Sequence, residues 1–304
     1  MRSDVDVSIV IATKDRARYL ERALASLERQ ASAPRFEVVV ADNGSTDDTR
    51  AVAERQATRA CFPVAYVYEP EPNRGKARNR GIAAARGELI AFCDDDVQAP
   101  SGWLAAHAAA HAGTRAAVVV NGPILNVGSY EERPKPTLAN YSRAFLCTCN
   151  ASLPRSVLAS AGGFDEAFNL YGWEDTELGV RLRESGVTWK FAWGAAIWHV
   201  KPPAENTLGV EARKALEKAR MARRFIGKHP SKRAHMATGA YGLNVLRGRY
   251  FLPDPLLAAY AGIATSARVP AWIKSLARGQ FLDGIYTREL IRALAQNAPD
   301  DPAP

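Results

Sequence analysis

Leu89-Ile90-Ala91-Phe92-Cys93-Asp94-Asp95-Asp96 is the stretch on which the fold turns. The apolar run Leu89–Cys93 has the length and continuity of a strand buried on both faces. Three carboxylates follow it directly. Like charges at a strand end repel one another, and a divalent cation relieves that repulsion. Hard carboxylate oxygens suit magnesium or manganese. On an extended tip, Asp94 and Asp96 would share one side and Asp95 would oppose them.

The same pattern recurs upstream. Val7–Ile11 is followed by Thr13, Lys14 and Asp15; Phe36–Ala41 is followed by Asp42-Asn43-Gly44-Ser45; Val64–Tyr68 is a further apolar run. Between these strands lie helical stretches. Arg16–Arg29 carries Leu20, Ala23, Leu24 and Leu27 at helical spacing, Asp47-Asp48 opens a second helix, and Lys76–Ala85 forms a third. Strands alternating with helices predict a doubly wound α/β fold with a mostly parallel sheet. Ligands of such sheets bind beyond the carboxyl ends of the strands. Thr13, Asp42 and Asp94–Asp96 are therefore expected to converge on one rim.

The second half is less regular. Val118–Asn121, Phe145–Asn150, Trp189–Ala192 and Ala195–Val200 read as strands, the last carrying His199 near its end. Gly162–Asp165 reads as a turn, and Glu174–Glu184 as a helix with Leu178 and Leu182 four apart. Beyond Pro202-Pro203 the pattern is helical and basic. The expected organisation is a catalytic domain over residues 1–203 and a basic, mainly helical extension over 204–304. Cys61, Cys93, Cys147 and Cys149 lack zinc spacing and read as reduced, buried thiols, with Cys147 and Cys149 on one face of a strand.

A second acidic cluster, Trp173-Glu174-Asp175-Thr176-Glu177, begins the Glu174 helix. Its carboxylates suit either a helix cap or a general base beside an aromatic platform. His199 is either a satisfied structural imidazole or a late metal ligand. A carboxylate metal site, a separate carboxylate base and an imidazole together suit displacement of a diphosphate leaving group.

The 304 residues are 47% hydrophobic, which excludes a disordered chain. The formal charge is +8, from 40 Lys and Arg against 32 Asp and Glu. Residues 1–200 are almost balanced, so the surplus lies in the extension, concentrated in Arg213–Arg233, where Glu217 is the lone acid. Thr207–Gly227 reads as an amphipathic helix. Its basic side is either simply solvated or drawn to an anionic membrane leaflet or a phosphate-bearing acceptor. No nucleic-acid reading motif accompanies the charge, so no nucleic-acid partner is expected. With no secretory signal and no apolar run of ~20 residues, the expectation is a cytoplasmic protein, peripheral at most on the inner face of the membrane.

Several ordered motifs resemble glycosyltransferase family 2 across residues 6–203: Val7–Thr13, Val39–Asp47, Asn73–Ile82, Phe92–Asp96, Gly162–Glu166 and Tyr171–Asp175. The resemblance implies the nucleotide-sugar-binding GT-A fold and a metal-dependent, inverting transfer of a sugar from a UDP-sugar to a hydroxyl of a glycan, lipid-linked or small-molecule acceptor. It implies Asp175 as catalytic base. It places Thr13, Asp42, Lys76, Arg78, Asp94 and Asp95 on the donor, and Trp173 and Glu174 at the acceptor. Asp96 and His199 would hold Mn2+ or Mg2+. The Gly162–Asp175 block, with His199–Asn206 after it, is similar to bacterial chondroitin-type polymerases.

Two other functions suit these residues less well. A sugar nucleotidyltransferase would want a glycine-rich phosphate loop, and Thr13-Lys14-Asp15-Arg16 has no glycine. A catalytically silent nucleotide-sugar-binding subunit would not need Asp96, Asp175 and His199 together.

Overall fold

A computed structural model describes residues 4–114, 117–202 and 207–296. The boundary expected near residue 203, and the Pro203–Asn206 end of the last motif, lie outside the described residues. Two compact units emerge. One comprises the chain to Asn169 together with Glu174–Pro202; the other comprises Leu170–Trp173 together with the chain beyond Pro202.

The first unit alternates as its apolar runs demand: β1 (Val7–Thr13), α1 (Ala17–Leu27), β2 (Phe36–Asp42), α2 (Thr49–Arg59), β3 (Val64–Tyr68), α3 (Arg74–Ala84) and β4 (Leu89–Asp94). It continues with β5 (Val97–Gln98), α4 (Trp103–His111), β6 (Val118–Asn121), β7 (Ile124–Val127), β8 (Asn150–Pro154), α5 (Arg155–Ser160), α6 (Glu174–Glu184), β9 (Thr188–Phe191) and β10 (Ile197–Val200).

The main sheet has the order β3-β2-β1-β4-β8-β6-β9. Its first four strands are parallel, and β8 runs antiparallel to both β4 and β6. Successive residues of β1 and β2 face opposite sides of the sheet. Ile9, Ile11, Val38 and Val40 pack with Leu20 and Leu24 on one side; Val10 and Val39 pack with Ile90, Phe92, Leu153 and Leu178 on the other. Both faces are thus covered, which is why these strands read as unbroken apolar runs. Helix α3 lies close to β1 because position 81 is glycine: a Cβ there would meet Val10 Cγ1 at 2.7 Å.

The strand order reverses direction between β1 and β4, the point where open α/β sheets form their ligand crevice. Register sets Thr13 beside Asp42 and Ala12 beside Asp94 at that point. In a smaller sheet, β10 lies between β5 and β7 and pairs His199 with Val97, one residue after Asp96.

One expected strand is displaced. Residues 145–149 are not extended; β8 begins at Asn150, after a turn closed by the Asn150 N–H donating to the Cys147 carbonyl at 3.0 Å. The turn forms because the Thr148 amide and hydroxyl are both drawn to Asp175. Cys147 and Cys149 consequently do not share a strand face.

The second unit is helical: α7 (Leu208–Lys228), α8 (Lys232–Thr238), α9 (Gly242–Tyr250), α10 (Asp254–Thr265) and α11 (Ala271–Ala295). Ala219 and Ala222 of α7 pack on Leu290 of α11, their small side chains permitting close approach. Among the described residues, no helix is long and apolar enough to cross a membrane.

Candidate active site

Asp94 ends β4, and Asp95-Asp96 form a turn into β5 rather than continuing the extended strand. The turn changes the expected grouping. Asp95 and Asp96 share Arg16, whose Nη1 donates to Asp95 Oδ1 at 3.0 Å and to Asp96 Oδ2 at 2.8 Å. The Thr13 hydroxyl donates to Asp95 Oδ2 at 2.7 Å. Burial pushes the Asp95 carboxyl above the usual range; Arg16 only partly offsets this, and Asp96 adds repulsion. For Asp96 burial acts in the same direction, but His199 and Arg16 outweigh it and hold the group below the usual range.

Asp94 turns elsewhere. Asp94, Cys149 and His199 each offer a donor atom, and the three atoms lie within 4.8 Å of one another. Cys149 Sγ is 3.9 Å from His199 Nδ1, while Nε2 of the same ring is 2.9 Å from Asp96 Oδ1. That last approach is close but off-line, so Asp96 Oδ1 is buried without a hydrogen bond. A carboxylate, an imidazole and a thiol form a donor set that fits a divalent cation, with Asp96 against the other ring nitrogen of the imidazole.

Arg78 of α3 joins this cluster to the second acidic group. The guanidinium is buried and lies 3.3 Å from Glu174 Oε1, 3.8 Å from Asp94 Oδ1 and 3.9 Å from Asp175 Oδ1. Glu174 is therefore buried in an ion pair. Asp175 Oδ2 accepts from both the backbone N–H and the hydroxyl of Thr148, and its Oδ1 is buried with no hydrogen bond. Burial pushes the Asp175 carboxyl up to about 6; Arg78 opposes the rise and Glu174 adds to it.

The remaining expected donor residues are already engaged. Asp42 is almost wholly enclosed, accepting from the Ser45 N–H at 2.8 Å and from the Tyr66 hydroxyl at 2.7 Å. A carboxylate still has lone pairs left for another donor. Lys76 pairs with Glu71 at 2.6 Å and lies 3.6 Å from Glu69. Helix α3 is fixed by two asparagines: Asn73 Nδ2 donates to the Glu166 carbonyl, and Asn79 bonds both the N–H and the carbonyl of Phe164.

Trp173, in the second unit, takes a left-handed backbone with φ 73°, uncommon for a bulky residue. Its ring stacks on Phe225 at 5.0 Å and its indole N–H donates to the Lys218 carbonyl. It lines a cavity of about 840 Å³ with Tyr241, Phe251, Tyr286, Lys218 and Arg247. The cavity is lined by neither Asp94, Cys149 and His199 nor Asp175.

Sequence alone gave no site role to Arg16, Thr148 or Asn79, and read Cys149 only as a reduced, buried thiol. The sequence and the fold have known relatives. The sequence pattern of glycosyl transferase family 2 matches residues 8–165, and that described as the N-terminal domain of galactosyltransferase matches residues 134–202. The chain belongs to glycosyl transferase family 2. Validoxylamine A glucosyltransferase of Streptomyces hygroscopicus subsp. limoneus is 32% identical over 74% of this family 2 chain and 57% of its own length. Chondroitin synthase of Pasteurella multocida is 24% identical over 71% of the chain and 27% of its own. The chain thus spans less than two thirds of these curated relatives. The mannosyltransferase PcManGT of Pyrobaculum calidifontis, solved with GDP-Man and Mn2+, shares the fold with a TM-score of 0.63 at 21% identity, covering 96% of this chain and 89% of that one. The GT-A fold expected of a family 2 member is therefore present, with a mostly parallel sheet and a helical C-terminal region.

Proposed function

We propose that this chain transfers a sugar from a UDP-sugar to an acceptor hydroxyl by one in-line displacement that inverts the anomeric centre. The observation that carries it is Asp175: a half-buried carboxylate with one oxygen held and the other without a hydrogen bond, on the same Arg78 that reaches Asp94. The bare Oδ1 takes the acceptor's proton as the new C–O bond forms and the bond to the diphosphate breaks, releasing UDP. Arg78 holds charge balance among the three carboxylates as that proton arrives. Thr13 and Asp42 line the base end of the rim.

Asp94 and His199 would hold a divalent cation, with Asp96 set against the far edge of the imidazole. When bound, it supplies neutralisation of the charge on the departing diphosphate. That PcManGT was solved with Mn2+ supports manganese, with magnesium as the alternative.

For the acceptor, the second unit supports a lipid-linked or anionic molecule at the inner face of a membrane. Met236, Leu243, Leu246 and Phe251 are exposed around the cavity that Trp173 lines, and Arg213, Lys228, Lys232 and Arg233 are exposed in the same unit. The test is a panel of UDP- and GDP-sugars scored for nucleotide release with manganese and with magnesium. Release of UDP from one donor, dependent on acceptor and cation, is expected. Release of pyrophosphate from a nucleoside triphosphate instead would identify a nucleotidyltransferase, and binding without turnover a silent subunit.

A further inference from the structure

We propose that Cys149 is a metal ligand, its sulfur joining Asp94 and His199 in a three-donor site that takes thiophilic cations such as zinc, cadmium and cobalt as well as manganese. The sheet register puts the donors together. Strands β4 and β8 are antiparallel with Cys93 opposite Asn150 as the last pair, so Asp94, which follows the one, and Cys149, which precedes the other, lie beyond the same end of the ladder. His199 arrives from β10, and all three donor atoms lie within 4.8 Å.

Distance supports ligation. A tetrahedral cation with bonds of about 2.3 Å to sulfur and about 2.05 Å to imidazole nitrogen sets those atoms about 3.6 Å apart. Here Sγ and Nδ1 are 3.9 Å apart, so a shift of a few tenths of an ångström closes the site. Nε2 of the same ring faces Asp96, the arrangement that orients a ligating histidine and raises its basicity.

The position of Cys149 is also fixed. The next residue, Asn150, is fully buried; its amide donates to the carbonyls of Pro123 and Ala195, and its oxygen accepts from the Trp103 indole. A sulfur held this firmly beside a carboxylate and an imidazole is a poor accident. On binding, the thiol proton passes to water and the thiolate replaces a water on the cation. Hard manganese gains little from sulfur, whereas softer cations gain much.

This builds on the divalent-cation reading above, so the test separates the two. The full-length chain, reduced and stripped with chelator, is titrated with Co2+ in the presence and absence of UDP. We expect a near-ultraviolet sulfur-to-cobalt charge-transfer band that is lost in Cys149→Ser and kept in Cys147→Ser and Cys61→Ser. We also expect Cd2+ affinity to fall at least about tenfold in Cys149→Ser while Mn2+ affinity moves less than about threefold. Cobalt bound by calorimetry without that band in the wild-type protein, or a band that survives Cys149→Ser, overturns the role of Cys149 and leaves the cation site standing. Failure to bind Co2+, Cd2+ or Mn2+ at all overturns both. If Cys149→Ser does not fold, the wild-type, Cys147→Ser and Cys61→Ser spectra decide: a band in all three supports the ligand, and its absence from the wild type overturns it.

Discussion

Thr148 holds one oxygen of Asp175 with both its backbone N–H and its hydroxyl, each at 2.9 Å, and leaves the other oxygen buried and bare. A general base needs this asymmetry: one oxygen fixes the group, the other keeps its lone pairs for the incoming proton. Burial lifts the carboxyl to about 6, so its useful, ionised form accumulates as pH rises through that value. We expect kcat/KM for sugar transfer to climb between pH 5 and about 7 and then level. A profile flat across that window, measured at saturating cation, would remove Asp175 from the role.

Thr148→Val deletes the hydroxyl donor and keeps the amide. Hydrogen bonds to a carboxylate favour its charged form, so losing one raises the pKa and moves the rising limb to higher pH. Asp175→Asn keeps shape and removes basicity; turnover should drop by about 10²–10⁴ while UDP affinity stays close to wild type. Wild-type turnover in Asp175→Asn would assign the base elsewhere.

His199 and Asp96 should separate by calorimetry. His199→Ala removes a proposed donor and should abolish cation-dependent UDP binding. Asp96 faces the far edge of the imidazole at 2.9 Å and also pairs with Arg16, so Asp96→Ala should weaken cation binding by about 10–100-fold without eliminating it. Equal and total loss in both variants would instead make Asp96 a direct ligand.

Most of the sheet was legible because its strands are buried on both faces, and unbroken apolar runs such as Val7–Ile11 and Leu89–Cys93 have no other comfortable home. The reversal of strand order at β1 and β4 then made Thr13, Asp42 and Asp94 neighbours, as strand ends alone suggested. Phe145–Asn150 misled because its apolar composition matches a strand, whereas a distant carboxylate, Asp175, captures the Thr148 amide and bends the chain. The grouping of the three aspartates was equally hidden. An extended tip pairs Asp94 with Asp96, but Arg16, contributed by a different strand–helix junction, draws Asp95 and Asp96 together. Local spacing cannot report partners supplied by remote segments.

Gly163→Ala tests the clamp on the helix that carries Arg78. Gly163 has φ 69°, and a Cβ there would meet Asn79 Oδ1 at 2.5 Å, the atom that accepts the Phe164 N–H. Strained backbone and a displaced Asn79 together should cost about 1–3 kcal/mol of stability. Thermal unfolding should show a lower Tm, and KM for the donor should rise as α3 loosens. An unchanged Tm would mean that the turn relaxes without disturbing α3.

The surplus positive charge makes its own prediction. Lys232 and Arg233 are exposed at the start of α8, and Leu243, Tyr250 and Phe251 are 74%, 65% and 66% exposed in and just after α9. Each Lys or Arg near an anionic leaflet contributes about 1 kcal/mol, and apolar side chains add to this by leaving water. Charge attraction alone fades with salt, because the screening length is about 10 Å at 0.1 M. The chain should therefore sediment with anionic vesicles at low salt, retain part of that binding at moderate salt through its apolar contacts, and ignore neutral vesicles. Lys232→Glu with Arg233→Glu should lose the salt-sensitive part, and Leu243→Ser with Phe251→Ser the remainder. Equal sedimentation with neutral and anionic vesicles would leave the basic helix with a solvated face and no membrane partner.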